Sequence, residues 1–582
     1  GGEVVQTTTF IIRNINVSNY VTTYYDLTKS SQKMYDFLKK NPNQIFQIDS
    51  SEFIDLPKCV LAYKISRKTY NAFFNKALSH YAFSDGQILT GNNEKYLRLF
   101  WEVNVYDVMS RRWALHDKGG LFRKWFGNVQ YTVDFSKQAI THYKKDKIAR
   151  FPKESILFRQ GVTWTLVSSQ FGCRLLSENV TFDKAAATLL FENENYIPYL
   201  LGLMNSSVSS YLMSIFNPTI NNSIVDVLLL PVIIDEENKS QIEYLVNENI
   251  VLARQDWDSF ETSWDFKKHP LLSKGVLSKI FNDYKSITKL NFDTLKSNEE
   301  ELNEYFIKLY GLQDELSKDV DDSYVSISVA DKERDTKSLI SYLVGVLMGR
   351  YSLSQEGLVF AGGTFDPSKY GTYDVDSDGI IPIYSDISIK DGLVHRIIGL
   401  IKKIYGIEYY RENIGFIAEA LGKKSNETSE ETLNRYLNDG FYQDHLKTYQ
   451  KRPIYWMFSS GKSSGFKCLI YMQRYSQDTL AKINAGYFQP ATTILRNQIT
   501  EIERQISIAA DSDKRLLEKK RMSLTEQLNE ARDYGQVLDY MANKYISIDL
   551  DDGVKVNYAK FQGIEVTSNG GKVKKDLLVP IK

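Results

Sequence analysis

Phe216-Asn217-Pro218-Thr219-Ile220-Asn221-Asn222-Ser223, running on into Val227-Leu228-Leu229-Leu230-Pro231-Val232-Ile233, closes one structural unit and opens the next. Ahead of it, Leu200, Leu203, Met204, Val208, Tyr211, Leu212 and Ile215 recur at helical spacing, which predicts one apolar helix from Tyr196 to Phe216. Asn217-Pro218 then stops it, because the residue before a proline is pushed out of the α region and the proline has no N–H to give. The segment beyond leaves at an angle set by the proline ring.

Working outward, residues 15–235 read as a sheet-rich mixed domain, with short alternating runs such as Leu97 to Val103 and Trp164 to Val167 between polar turns. Residues 1–14 hold the strand-like Val4 to Ile12, an expected final strand whose sheet partners come from outside this sequence. Residues 236–319 are strongly helical, with Trp257, Phe260 and Trp264 spaced as one helical face. Residues 320–477 form a second mixed α/β domain, in which Thr428-Ser429-Glu430-Glu431 is a capping box. Residues 478–545 are a long charged helical hairpin broken near Ala510 to Asp513, and 546–582 a strand segment opening with strand-turn-strand from Ile546 to Val556. The fold class is α+β multidomain.

Apolar residues make up 43% and charged residues 25% of 582, which suits several packed cores and excludes a disordered chain. Seventy-two basic residues balance seventy-two acidic ones, so any nucleic-acid surface is local. Cys59, Cys173 and Cys468 form no CxxC pair and the six histidines show no ligand spacing, so we expect a reducing, cytoplasmic setting and no metal. The longest apolar runs are far short of the ~20 residues of a membrane span, so no membrane partner is expected.

One segment breaks the neutrality. From Arg111 to Gln160 twelve cations, including Arg111, Arg112, Lys118, Arg123, Lys124, Lys144, Lys145, Lys147, Arg150 and Arg159, face four carboxylates, an excess of eight. Trp113, Phe122, Trp125, Phe126, Tyr131 and Tyr143 interleave with them, a mixture suited to neutralising phosphates and contacting bases, with a solvated basic face as the plainer reading. Asn217, Asn221 and Asn222 are further candidates, with a capping and turn role as the alternative. Asp374-Val375-Asp376-Ser377-Asp378-Gly379 imitates a calcium loop, but its twelfth position is Ser385 and an acidic turn is the better reading. Ser460-Gly461-Lys462-Ser463 has the end of a phosphate-binding loop, yet Trp456 stands where its first glycine belongs.

The stretch from Phe216 to Ile233 resembles the exit of a target-recognition domain in DNA adenine methyltransferases and specificity subunits. With Gly1 to Arg13, Lys118 to Asn128, Leu252 to Trp264, Asp378 to Ile383, Arg452 to Tyr471 and Ile546 to Phe561 added, nearly the whole chain resembles the PglX family, the adenine-specific DNA methyltransferases of BREX phage-defence systems. The resemblance implies a Rossmann-like catalytic domain that binds S-adenosylmethionine and methylates adenine N6 in a short double-stranded DNA site. It implies that residues 1–14 are that domain's last strand, 15–235 the DNA-binding target-recognition domain and 236–319 a connector, with other BREX proteins as further partners. All twelve prolines are isolated, so the Asn-Pro-Pro-Tyr loop such enzymes need is absent from these residues, as is a candidate cofactor loop. No catalytic or cofactor-binding residue is assigned, and this stretch alone is expected to be inactive. Two other readings stand beside this one: a free-standing specificity subunit serving a separate catalytic chain, and an interaction scaffold built on the hairpin without DNA contact.

Overall fold

The computed structural model describes residues 8–581 apart from 13, 16, 18, 19, 218, 372–374, 569 and 570. The first four residues of the expected Val4 to Ile12 strand, together with Pro218 and Asp374, lie outside the described residues, and Thr8 to Ile12 are not in a strand. Helices and several small sheets alternate along the chain, as an α+β multidomain protein requires.

A two-stranded antiparallel sheet pairs β1 (Val21–Tyr25) with β2 (Ile45–Asp49), with helix α1 (Lys33–Lys39) between them. Next come two four-stranded sheets. One has the order β3 (Ala82–Phe83), β10 (Ala186–Phe191), β7 (Gly161–Thr165), β8 (Cys173–Leu176), and the other β4 (Leu97–Leu99), β6 (Tyr131–Asp134), β5 (Trp113–Asp117), β9 (Thr181–Phe182). Every residue of β10 is buried, which explains its unbroken apolar run in place of alternation. Helix α2 (Lys137–Lys145) follows β6, and α3 (Ile197–Asn205), α4 (Ser207–Phe216), α5 (Lys239–Trp257) and α6 (Leu277–Leu309) pack with the β10 sheet around Trp164, Leu200, Val246 and Phe306.

The C-terminal part places helix α7 (Lys332–Met348) against a three-stranded sheet of β11 (Ile380–Pro382), β13 (Lys467–Tyr471) and β12 (Tyr455–Ser459). Two long helices, α8 (Gln489–Ile508) and α9 (Asp511–Ala542), form the expected hairpin, and the capping box is present, with Glu431 N–H donating to Thr428 Oγ1 at 3.1 Å and Thr428 N–H to Glu431 at 2.7 Å. A core running from Leu99 and Trp101 through Phe266 and Leu343 to Tyr471 ties the β4 sheet to this C-terminal part.

Four local expectations are corrected. The helix expected from Tyr196 to Phe216 is two helices. Asn205 inserts its amide between them as an extra rung on β8, accepting from Cys173 N–H at 2.7 Å and donating to Cys173 O at 3.0 Å, and the extended Ser206 caps α4. Trp257, Phe260 and Trp264 do not share a helical face, because α5 ends at Trp257. Arg123 lies over Trp257, Arg334 over Phe260, and Trp264 packs edge-on against Phe100. The run from Leu97 stops being a strand at Leu99, where a 3-10 turn begins and buried Glu102 accepts the Leu99 N–H at 2.8 Å.

The fourth concerns the tail. Ile546 to Val556 is not strand-turn-strand: Asp549 accepts from Asp551 N–H at 3.0 Å, Gly553 takes φ +76° and helix α10 (Gly553–Ala559) follows. The hairpin lies further on, pairing β14 (Ile564–Ser568) with β15 (Gly571–Lys575).

Candidate nucleic-acid interface

The cations of residues 111–159 divide into two groups. The first is built around α2. Ser136 caps the helix by accepting the Ala139 N–H at 3.2 Å, and Ala139 and Tyr143 anchor its inner face against Ile88, Tyr96, Val133 and Ala149. That periodicity turns Lys137, Lys144 and Lys145 to solvent, the last two in the final turn where cations complement the helix dipole. After the helix, Asp146 accepts the N–H groups of Ile148 and Ala149, both at 2.8 Å, which holds its carboxyl below the usual range. The resulting tight turn leaves Lys147 and Arg150 exposed, while the Arg150 backbone exchanges two hydrogen bonds with Leu89.

Arg111 joins this group from the turn before β5. Its guanidinium stands 4.7 Å from the Phe158 ring centroid, and Lys144 Nζ 5.2 Å from that of Phe151. Phe135 packs between the two rings, 5.3 Å from Phe158 and 5.7 Å from Phe151, so both charges ride on one aromatic wedge. Glu154 lies 3.7 Å from Lys144, but both side chains are exposed and the pair is weak. Lys95 extends the face: it sits 5.1 Å over Tyr96, which stacks on His142 of α2. Sequence reasoning missed it because it stands alone in a stretch with no basic cluster.

The second group is spent on the protein itself. Lys124 is buried with Nζ 2.8 Å from Glu299 of α6, and Trp125, fully buried, donates Nε1–H to the other Glu299 oxygen at 2.7 Å. Arg123 pairs with Asp256 at 2.7 Å and donates to Phe126 O at 2.6 Å. Lys118 pairs with Asp183, Arg112 with Asp551, and Arg159 donates to Phe191 O at 2.6 Å. Asn217 binds Asn221 O at 2.6 Å and Asp226 at 2.9 Å, and Asn222 is buried with its amide on Ser168 O at 3.2 Å. Of the three asparagines only Asn221 has an exposed side chain.

Beneath the Lys118–Asn128 loop lies a pair that the sequence did not signal. Arg174 and Asp117 are fully buried 3.1 Å apart, burial pushes the Asp117 carboxyl up, and Asp117 also accepts the Gly119 N–H at 2.8 Å. The two motif look-alikes are satisfied internally. Asp376 accepts the N–H groups of Asp378, Gly379 and Ile380 and pairs with Arg396. The Ser460 to Gly465 turn holds the Glu530 carboxylate of α9, bound by Ser460 Oγ and Ser463 N–H, both at 2.8 Å. No cluster of His, Cys, Asp and Glu placed for a metal occurs among the described residues, and no helix among them is long and apolar enough to cross a membrane.

No model of a known protein family matches the chain. It is 33% identical over 599 residues to an adenine-specific methyltransferase, PglX, of Lacticaseibacillus casei (strain Zhang), a match covering 97% of this chain and 50% of that protein. It is 32% identical over 597 residues to the adenine-specific methyltransferase BrxX of Escherichia coli O9:H4 (strain HS), covering 96% and 49%. The chain thus spans about half the length of the curated relatives it matches.

Proposed function

We propose, from its similarity to one half of two adenine-specific methyltransferases, that this chain is the target-recognition portion of a BREX-type enzyme that transfers a methyl group from S-adenosylmethionine to adenine in double-stranded DNA. The observation that carries the reading is the exposed set Arg111, Lys144, Lys145, Lys147 and Arg150, gathered on one small core with Lys95 and Lys137 beside it. Phosphates are the natural partner of such a face, since each neutralised phosphate releases a condensed counterion. The aromatic wedge beneath holds Arg111 and Lys144 by cation–π attraction, and the Glu154 carboxylate 3.7 Å from Lys144 is exposed and binds it only weakly, which keeps the charges available.

The internally paired cations have a different part in this reading. Lys118, Arg123 and Lys124 shape the loop from Lys118 to Asn128 by tying it to Asp183, Asp256 and Glu299, and exposed Leu121 at its outer end is presented to the duplex. Catalysis is assigned to a part of the enzyme outside these residues, which contain no Pro-Pro pair.

The test is binding of the purified chain to duplex DNA over a salt series, with a methyl-transfer assay using labelled S-adenosylmethionine alongside. Salt-sensitive binding without methyl transfer is expected. Methyl transfer by this chain would overturn the assignment of catalysis elsewhere, and binding absent at all salt concentrations would overturn the recognition role.

A further inference from the structure

Of the thirty-three large apolar side chains exposed among the described residues, fourteen lie before residue 75, an eighth of the chain. Helix α1 is the extreme case: it buries no residue, and Met34, Tyr35, Phe37 and Leu38 are all exposed. The sheet beside it has only β1 and β2, so each strand keeps one unpaired edge. Two strands alone are marginal in water and are normally completed by more strands or by a packed helix. Alongside, Ile48, Phe53, Leu56, Ile65 and Tyr70 line a cleft of about 220 Å³, room for one large apolar side chain. Apolar surface concentrated in this way marks a docking site, because soluble proteins seldom leave a large contiguous apolar patch open to water.

We propose that residues 20–74 are the docking face for a further folded domain of the full-length protein, the counterpart of the half of its relatives that this chain does not span. The inference rests on the similarity to those relatives and is independent of the DNA-binding reading. One observation and one physical argument select this occupant over a second copy. The relatives carry about as much polypeptide again beyond the matched stretch. A domain joined covalently to this chain also meets the face at high effective concentration, so a modest apolar area is enough to hold it. The occupant's matching surface is apolar, with a strand to extend the β1–β2 sheet and an anchoring side chain for the cleft.

The experiment compares hydrogen exchange in the 582-residue chain with that in the complete gene product. Amides of α1, β1 and β2 are expected to exchange at least tenfold more slowly in the complete product. The double substitution Met34→Asp/Phe37→Asp, at positions whose side chains are exposed here, is expected to restore fast exchange there and to leave the 582-residue chain and its DNA affinity unchanged. A complete product with no additional domain would overturn the proposal, as would equal exchange in the two proteins. Protection that rises with the concentration of the 582-residue chain alone would overturn it in favour of self-association.

Discussion

Lys124 Nζ lies 2.8 Å from Glu299 Oε2, with both side chains almost completely removed from water. Breaking such a pair costs more than the pair contributes, because the surviving charge is stranded in a low-dielectric site. Glu299→Leu is therefore expected to destabilise the protein by about 3–5 kcal/mol, and Lys124→Met/Glu299→Leu to recover most of that loss. Urea unfolding midpoints of the single and double variants check this. Lys124→Met should leave the salt dependence of DNA binding unchanged, because its charge does not reach solvent.

Lys144, Lys145 and Lys147 face outward, so the opposite pattern is expected of them. Replacing all three with Gln should weaken DNA binding on every sequence and reduce the slope of log K against log salt by about 0.9 per lost phosphate contact. Stability should barely move, since none of the three is buried. A slope unchanged in a filter-binding or anisotropy titration would remove α2 from the interface.

Acid should unfold this protein through its histidines. Burial pushes His116 down to about 4, and His269 and His445 to about 3. The folded state keeps all three neutral, whereas the unfolded chain protonates them near pH 6.5, so unfolding takes up protons below that pH. Their contribution to stability is intact above pH ~6.5 and is lost as pH falls toward 4, at up to about 4 kcal/mol per pH unit when all three titrate together. His445 Nε2 accepts the Tyr455 N–H at 3.2 Å, which a glutamine amide can imitate, so His445→Gln should remove about a third of that slope. Denaturant unfolding at half-unit pH steps reads the slope directly.

A Cβ at Gly465 would meet the Gln527 carbonyl oxygen of α9 at 2.2 Å, and one at Gly461 the Glu530 carboxylate at 2.6 Å. Gly465→Ala is expected to push α9 off the β12–β13 turn, costing about 1–3 kcal/mol and exposing the hairpin to protease. Limited proteolysis with mapping of cuts between residues 489 and 542 checks this, and an uncut hairpin would show that α9 can shift without detaching.

Elements whose signal is local were legible in the sequence. The hairpin of α8 and α9 and the cap at Thr428 rest on periodicity and on contacts three residues apart, and both are present. The break at Ser206 was not legible, because its cause is Cys173, thirty-two residues away from Asn205. The tail misled for a related reason: Ile546 to Leu550 alternates as a strand would, but the Asn557 side-chain amide accepts the Asp549 N–H and donates to the Asp549 carbonyl, and Gly553 turns the chain into a helix. At the candidate interface, charge counting found the basic segment but had no means of separating Lys144 from Lys124. That difference lies in Glu299, which comes from a helix the segment itself does not contain.

Asp551 accepts from Arg112 and from Trp113 Nε1, and its backbone carbonyl takes two hydrogen bonds from Arg98. Residues on two strands of the β4 sheet are therefore closed by a residue 439 positions downstream of Arg112. A ribosome adding roughly 5–20 residues per second delivers Asp551 tens of seconds after Arg112 has been made. Through that interval the nascent sheet carries the Arg112 guanidinium without its carboxylate, the Arg98 guanidinium with only its local carbonyl partners, Glu94 and Leu97, and an unbonded indole. Its final shape is thus a property of the finished polypeptide and not of the growing one, and premature termination before residue 551 would leave a sheet that is complete in sequence but unfinished in structure.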